Sequence, residues 1–248
     1  MAHAPDRPTV LLTRPEAASR RFAAGLRNRL GAAFPVLVAP VLEIVPDPDA
    51  AAAALSGAGG VILSSENGAE ACAAARAGAG LMAFCVGART AAAARAAGLV
   101  PVDAPPGDLG RLIDRIAARG WSADRGPLVH LHGAHVTGDA VAALAARGVA
   151  ARGAVVYDQR ARPLSDAARR LLAGDAPVIV PVFSPRSARL VAPALAMARA
   201  PVRIAAISPR AAAALDVHGA ARVRVARSPD ADAMIEAVAA LLSGRSAS

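Results

Sequence analysis

The chain is 248 residues long with a formal net charge of +9, and all 28 of its basic side chains are arginine. The absence of lysine excludes a Schiff-base or phosphate-loop lysine. An aromatic content of 2% excludes the stacking platform of a single-strand nucleic-acid binder.

The length suits one large domain or two small ones with real cores. No uncharged apolar run reaches the ~18 residues of a membrane span. The first eight residues carry no basic segment followed by an apolar one, so neither a membrane anchor nor a secretory leader is expected. The arginines are scattered along helical stretches, as at Arg76, Arg89, Arg95, Arg111, Arg115 and Arg119. That pattern suits a polyanionic small molecule better than nucleic acid. Cys72 and Cys85 form no Cys-x-x-Cys pair and are expected as buried thiols of a cytoplasmic protein.

In chain order, Thr9–Thr13 is an apolar run, and Pro15 opens a helix over Glu16–Leu30 that Gly31 ends. Phe34–Ala39 is a strand. Pro40–Pro46 is extended and bracketed by prolines, which predicts an exposed connector rather than a central strand. A helix from Asp47 to Ser56 precedes the run Gly60–Leu63, the small turn Ser64-Ser65 and an alanine-rich helix to about Arg76. Leu81–Val86 is a strand, Ala88–Ala97 a helix stopped by Gly98, and Leu99–Val102 a short strand. After the loop Pro105–Gly107, Asp108 caps a helix to Arg119. Pro127–Leu131 is a strand, Gly133–Gly138 a loop, and Asp139 caps a helix to Arg147 that Gly148 stops. Ala154–Pro163 is extended and turns charged, as a return crossing would. Ser165 caps a helix to Ala173, Val223–Ala226 is the last strand, Asp232–Leu242 the last helix, and Ser243–Ser248 a frayed tail.

One stretch occurs twice. Gly60–Glu70 is echoed by Val178–Ala188, with Ser65 matching Ser184. Cys85–Ala92 is echoed by Ala206–Ala212, with Arg89 matching Arg210, and Gly98 matches Gly219. Two similar α/β halves follow, with parallel sheets, and paired halves form ligand-binding clefts. The expected division is a discontinuous domain 1 over residues 1–40 and 162–248, with domain 2 over 41–161 inserted in it. Two extended segments join them.

Ligands of open parallel sheets bind outside the carboxyl ends of the strands. Those ends carry Thr13, Arg14, Ser64, Ser65, Asn67, Gly87, Arg89, Thr90, His132, Gly133, Ser184, Ser187, Ser208 and Arg210. Hydroxyls, glycines and helix N-termini dominate, a composition that suits carboxylates or phosphates, although serine and asparagine also serve as ordinary helix caps. No Gly-x-Ser-x-Gly elbow or carboxylate pair appears. His130 and His132 alternate on a strand with His135 nearby, but no Cys or carboxylate ligand stands beside them, so no metal site is expected. Tyr157, the one tyrosine, lies on the return crossing and would face the cleft or pack against the hinge. A free phenol keeps its proton at neutral pH and can donate it to a leaving oxygen.

Taken together, Leu12-Thr13-Arg14-Pro15, Ser64-Ser65-x-Asn67-Gly68, Val86-Gly87-Ala88-Arg89-Thr90-Ala91, Tyr157 after Gly148 and Phe183-Ser184-Pro185-x-Ser187-Ala188 resemble the uroporphyrinogen-III synthase family, from about Thr9 to Leu242. The resemblance implies two flavodoxin-like domains with parallel sheets on an extended two-stranded linker. It implies a cofactor-free hydro-lyase, monomeric, without metal, nucleic acid or membrane as partner. Its substrate would be linear hydroxymethylbilane with eight carboxylates, received by transient hand-over from the enzyme that makes it. The bilane loses its hydroxyl, the terminal ring is inverted, and uroporphyrinogen III closes. By the same resemblance Tyr157 assists loss of the hydroxyl, while Ser65, Thr90 and Ser184 line the cleft. The chain departs from the family pattern at Ser208-Pro209-Arg210-Ala211-Ala212, where Gly-Pro-x-Thr-Ala is usual, and His132 stands where Arg is common. That departure is the feature that favours an alternative, a non-catalytic tetrapyrrole-binding or regulatory module on the same fold.

Overall fold

The computed structural model describes residues 7–31, 34–103, 108–135, 139–215 and 222–243. The expected Pro105–Gly107 loop, the end of the Gly133–Gly138 loop, Gly219 and the tail after Ser243 lie outside these. The chain opens with β1 (Thr9–Leu12), α1 (Glu16–Leu30) and β2 (Val36–Val38). There follow β3 (Leu42–Pro46), α2 (Pro48–Leu55), β4 (Gly60–Leu63), α3 (Glu66–Ala75), β5 (Met82–Cys85), α4 (Gly87–Ala96) and β6 (Val100–Asp103). Next come α5 (Leu109–Arg119), a single 3-10 turn at Ala123–Arg125, β7 (Leu128–Gly133), α6 (Ala140–Ala145) and β8 (Ala151–Ala161). The last part holds α7 (Asp166–Leu172), β9 (Val178–Val182), α8 (Pro185–Ala196), β10 (Val202–Ala206), α9 (Pro209–Ala213), β11 (Arg222–Val225) and α10 (Ala231–Leu242).

The chain divides into two units. One comprises Met1–Glu43 with Ala161–Ser248, the other Ile44–Arg160. Among the described residues the first holds a sheet of order β11-β10-β9-β1-β2. Its registered pairs are parallel. Counted in its own chain order this is 2-1-3-4-5, the flavodoxin-like arrangement. The second sheet has the order β3-β8-β7-β4-β5-β6. There the same arrangement appears only when β7 and β8 are counted first, because the chain enters this unit at the strand equivalent to β9. The repeated stretch therefore fills equivalent places, β4–α3 with β9–α8 and β5–α4 with β10–α9.

Alternation of side chains along each strand divides the apolar residues between two layers. In the first unit Leu11, Val178, Val180, Ile204 and Ala206 face α7, α8 and α9. Val10, Leu12, Ile179 and Ala205 face α1 and α10. In the second, Val61, Leu63, Ala83, Cys85, Val129 and Leu131 pack with α2, α3 and α4. Ile62, Phe84 and Leu128 pack with α5 and α6. On α5, Leu112, Ile113 and Ile116 make the buried stripe, each such side chain contributing about 1.5–3 kcal/mol. Pro181 sits in the central strand β9, and the β1–β9 register covers Thr9↔Val178 and Val10↔Ile179, stopping before the residue that has no N–H to give.

The two crossings form a pair of strands. Arg162 N–H donates to Val41 O at 2.9 Å and Asp47 N–H to Val156 O at 2.8 Å, so β3 runs antiparallel to β8. The expected exposed connector is thus the edge strand β3, a position that tolerates proline. The strand expected to end at Leu131 continues through His132 and Gly133, because β8 pairs with it that far. The last helix is capped by Asp230 rather than starting at Asp232, since the Asp230 carboxylate accepts from Ala233 N–H at 2.8 Å.

Candidate active site

Five side chains come together where the turn after β4 meets β7 and β8. β8 follows β7 in simple register through His132↔Val155, then shifts by one so that Gly133 stands opposite Tyr157. This bulge inserts Val156 and turns Tyr157 to the face that carries Leu131. Tyr157 is 6% exposed and belongs to the core under α3. Its ring passes over Gly133, where a Cβ would lie 2.4 Å from Cε2. From there the phenol Oη reaches Ser65 Oγ at 3.1 Å. Beside it, Ser64 Oγ lies 3.2 Å from His130 Nε2. The Ser64-Ser65 turn is therefore held by one side chain from β7 and one from β8.

His130 is buried, with its ring centroid 5.0 Å from that of His132. Burial, seconded by the neighbouring His132, depresses its pKa to about 4 against the opposing pull of Asp139. At neutral pH it is an uncharged hydrogen-bond partner for Ser64. His132 is half-buried, holds Gly133 O through Nδ1 at 2.9 Å, and lies over Gly153, where a Cβ would meet Nε2 at 3.0 Å. Tyr157 over Gly133 and His132 over Gly153 are reciprocal: on each strand an aromatic ring takes the space left by a glycine of the other.

The remaining expected residues stand at strand ends outside this group. Asn67 is in the first turn of α3, with Arg89 exposed and Thr90 buried in that of α4. Gly87, at φ 78°, occupies backbone space that disfavours a side chain. In the first unit Thr13 is buried, and its Oγ1 has no hydrogen-bond partner among the described residues. The Arg14 guanidinium lies 4.1 Å from the ring centre of Phe183. Ser184 caps α8, accepting from Ser187 N–H at 3.1 Å, and the two hydroxyls are 2.9 Å apart. Ser208, the counterpart of Gly87, is extended at φ −159° and caps α9, accepting from Ala211 N–H at 3.2 Å, with Arg210 exposed beside it. Among the described residues no three His, Cys, Asp or Glu side chains cluster so as to hold a metal ion. No described helix is long and apolar enough to cross a membrane.

The family model for uroporphyrinogen-III synthase HemD matches residues 8–236. The chain belongs to the uroporphyrinogen-III synthase family. No curated protein matches it. Its fold is similar to that of uroporphyrinogen-III synthetase from Helicobacter pylori, at 14% identity and a TM-score of 0.61, covering 95% of this chain and 99% of that one. A mutant uroporphyrinogen III synthase from Thermus thermophilus aligns at 19% identity and a TM-score of 0.49, covering 96% and 100%.

His130 and Gly153 are the residues of this group that the sequence did not single out as candidates. In the sequence His130 reads as a residue of the sheet with no metal to hold, and the signal for its contact with Ser64 is its place two residues before His132 on a buried strand. Gly153 gives no signal, because its partner ring lies on another strand.

Proposed function

We propose that the chain is a uroporphyrinogen-III synthase, a cofactor-independent hydro-lyase. It takes hydroxymethylbilane, removes the terminal hydroxyl as water and closes the macrocycle with the last ring inverted. The observation that carries this reading is the phenol of Tyr157, fixed by a bulge, a glycine and Ser65 at a strand end of a family member. A phenol so held can supply the proton that a leaving hydroxyl takes up. Within the unit that carries Tyr157, the substrate's carboxylates are matched by first-turn N–H groups and by the exposed Arg89 in the first turn of α4. Catalysis then consists of that protonation plus the folding of a flexible chain into one closing geometry.

A second reading, a tetrapyrrole-binding module without turnover, is favoured by the capped Ser208 turn that replaces a glycine turn of the kind seen at Gly87. The deciding experiment generates hydroxymethylbilane in situ, adds the protein, oxidises the products and separates the porphyrin isomers. Predominant isomer III supports the synthase. Isomer I alone, the uncatalysed product, overturns it, and a uroporphyrinogen titration then tests the binding module.

A further inference from the structure

Three serines share one local setting, the turn between a parallel strand and the helix that follows it. Ser65 precedes α3, Ser184 precedes α8 and Ser208 precedes α9, each after a parallel strand and each with extended backbone, at φ −152°, −161° and −159°. Ser184 and Ser208 accept from the N–H three residues on and cap their helices. Ser65 caps nothing; its Oγ lies on Tyr157 Oη at 3.1 Å. The chain thus contains its own comparison: the same turn, built three times, diverts its hydroxyl only where a phenol stands beneath it. The two hydroxyls differ in access. Tyr157 is 6% exposed, with its ring over Gly133, whereas Ser65 is half-buried and reaches the surface.

We propose that Ser65 is the group that touches the leaving hydroxyl of the bilane and that Tyr157 acts through it. The proposal rests on the synthase reading. The Ser65 O–H proton passes to the hydroxymethyl oxygen as the C–O bond breaks, the bonding pair leaving with oxygen, and water departs. In the same step Ser65 Oγ takes the phenol proton, and the phenolate left on Tyr157 balances the positive charge left on the substrate. When the last ring bond forms, the pyrrole carbon that made it loses its proton, which returns through Ser65 to Tyr157. One water is lost and the protein is regenerated. Ser65 is then a catalytic residue and Tyr157 a positioning and proton-supplying one.

The test is steady-state formation of isomer III by Ser65→Ala, Tyr157→Phe and the double variant, with circular dichroism to confirm folding. Wild-type protein that makes only isomer I removes the synthase reading itself. If wild type makes isomer III, each single variant is expected to lose about 10²-fold or more in kcat with KM changed less than about twofold. The double variant should be no slower than the slower single, since both groups serve one proton path. Rates in mixtures of light and heavy water should curve for wild type, with two protons in flight, and run straight for folded Tyr157→Phe. Ser65→Ala at the wild-type kcat, a double variant that multiplies the two losses, or a straight wild-type plot overturns the relay.

Discussion

The ring of Tyr157 fills the space that a side chain on Gly133 would take: a Cβ there would stand 2.4 Å from Cε2 and 2.8 Å from Cζ. The two residues are register partners, and the ring belongs to the buried core under α3. Gly133→Ala is therefore expected to push the phenol off Ser65. Overpacking of this kind costs about 1–3 kcal/mol, and isomer III formation should fall with it. Denaturant unfolding and the isomer assay check both; an alanine variant unchanged in each would mean that the ring has room to shift.

Ser184 makes a cap that Ser65 does not, so their alanine variants should differ in kind. Ser184→Ala loses the bond to Ser187 N–H and is expected to cost about 1 kcal/mol. A urea midpoint shift of that size, with the slope unchanged, is the expected outcome. No shift would show that solvent serves the Ser187 N–H as well as Ser184 Oγ does.

His130 gives the protein an acid-side weakness. Burial holds its pKa near 4 when folded, against an ordinary 6.5 when unfolded. Above pH 6.5 both states are neutral and the group is silent. As pH falls from 6.5 towards 4 the unfolded chain binds a proton that the folded one refuses, so stability falls, by roughly 3 kcal/mol in all. The neighbouring His132 adds to the penalty and Asp139 offsets part of it. His130→Gln keeps a hydrogen-bonding side chain beside Ser64 but cannot titrate. Its stability measured from pH 7 to pH 4 should lack this share of the slope; equal slopes in the two proteins would place the weakness elsewhere.

The strand ends were legible in the sequence because the chain repeats itself there. An apolar run followed by Ser64-Ser65 or Phe183-Ser184 gives a buried strand, a turn and a helix start whatever surrounds it. What was not legible depends on pairing between strands. Gly133 reads as the start of a loop because a missing side chain ends the apolar run, yet pairing with β8 keeps it extended. The bulge beside Val156 has no signature in Val155-Val156-Tyr157, and it alone turns Tyr157 into the core. The permuted strand order of the second unit is likewise a matter of which strands pair. Departure from the family pattern at Ser208 was visible, but that its hydroxyl would cap α9 needed the extended φ.

Cys72 and Cys85 supply a probe of one unit alone. Both are fully buried, and burial pushes each thiol up to about 11, with Arg95 pulling Cys85 partly back. The thiolate is the reactive form, so neither should react with an alkylating reagent at neutral pH while the protein is folded. Both lie in the core under α3 and α4, in the unit that also holds the single tryptophan, Trp121, packed edge-on to Phe84 at 5.8 Å. The other unit has no Cys, Trp or Tyr. Thiol labelling and tryptophan fluorescence should then follow one another through a denaturant titration, while circular dichroism follows both units. Coincidence of all three transitions is the result for a chain that unfolds as one cooperative body. Labelling and fluorescence that move together ahead of the dichroism would show that the unit carrying Tyr157 opens first, and rapid labelling in native buffer would overturn the burial of these thiols.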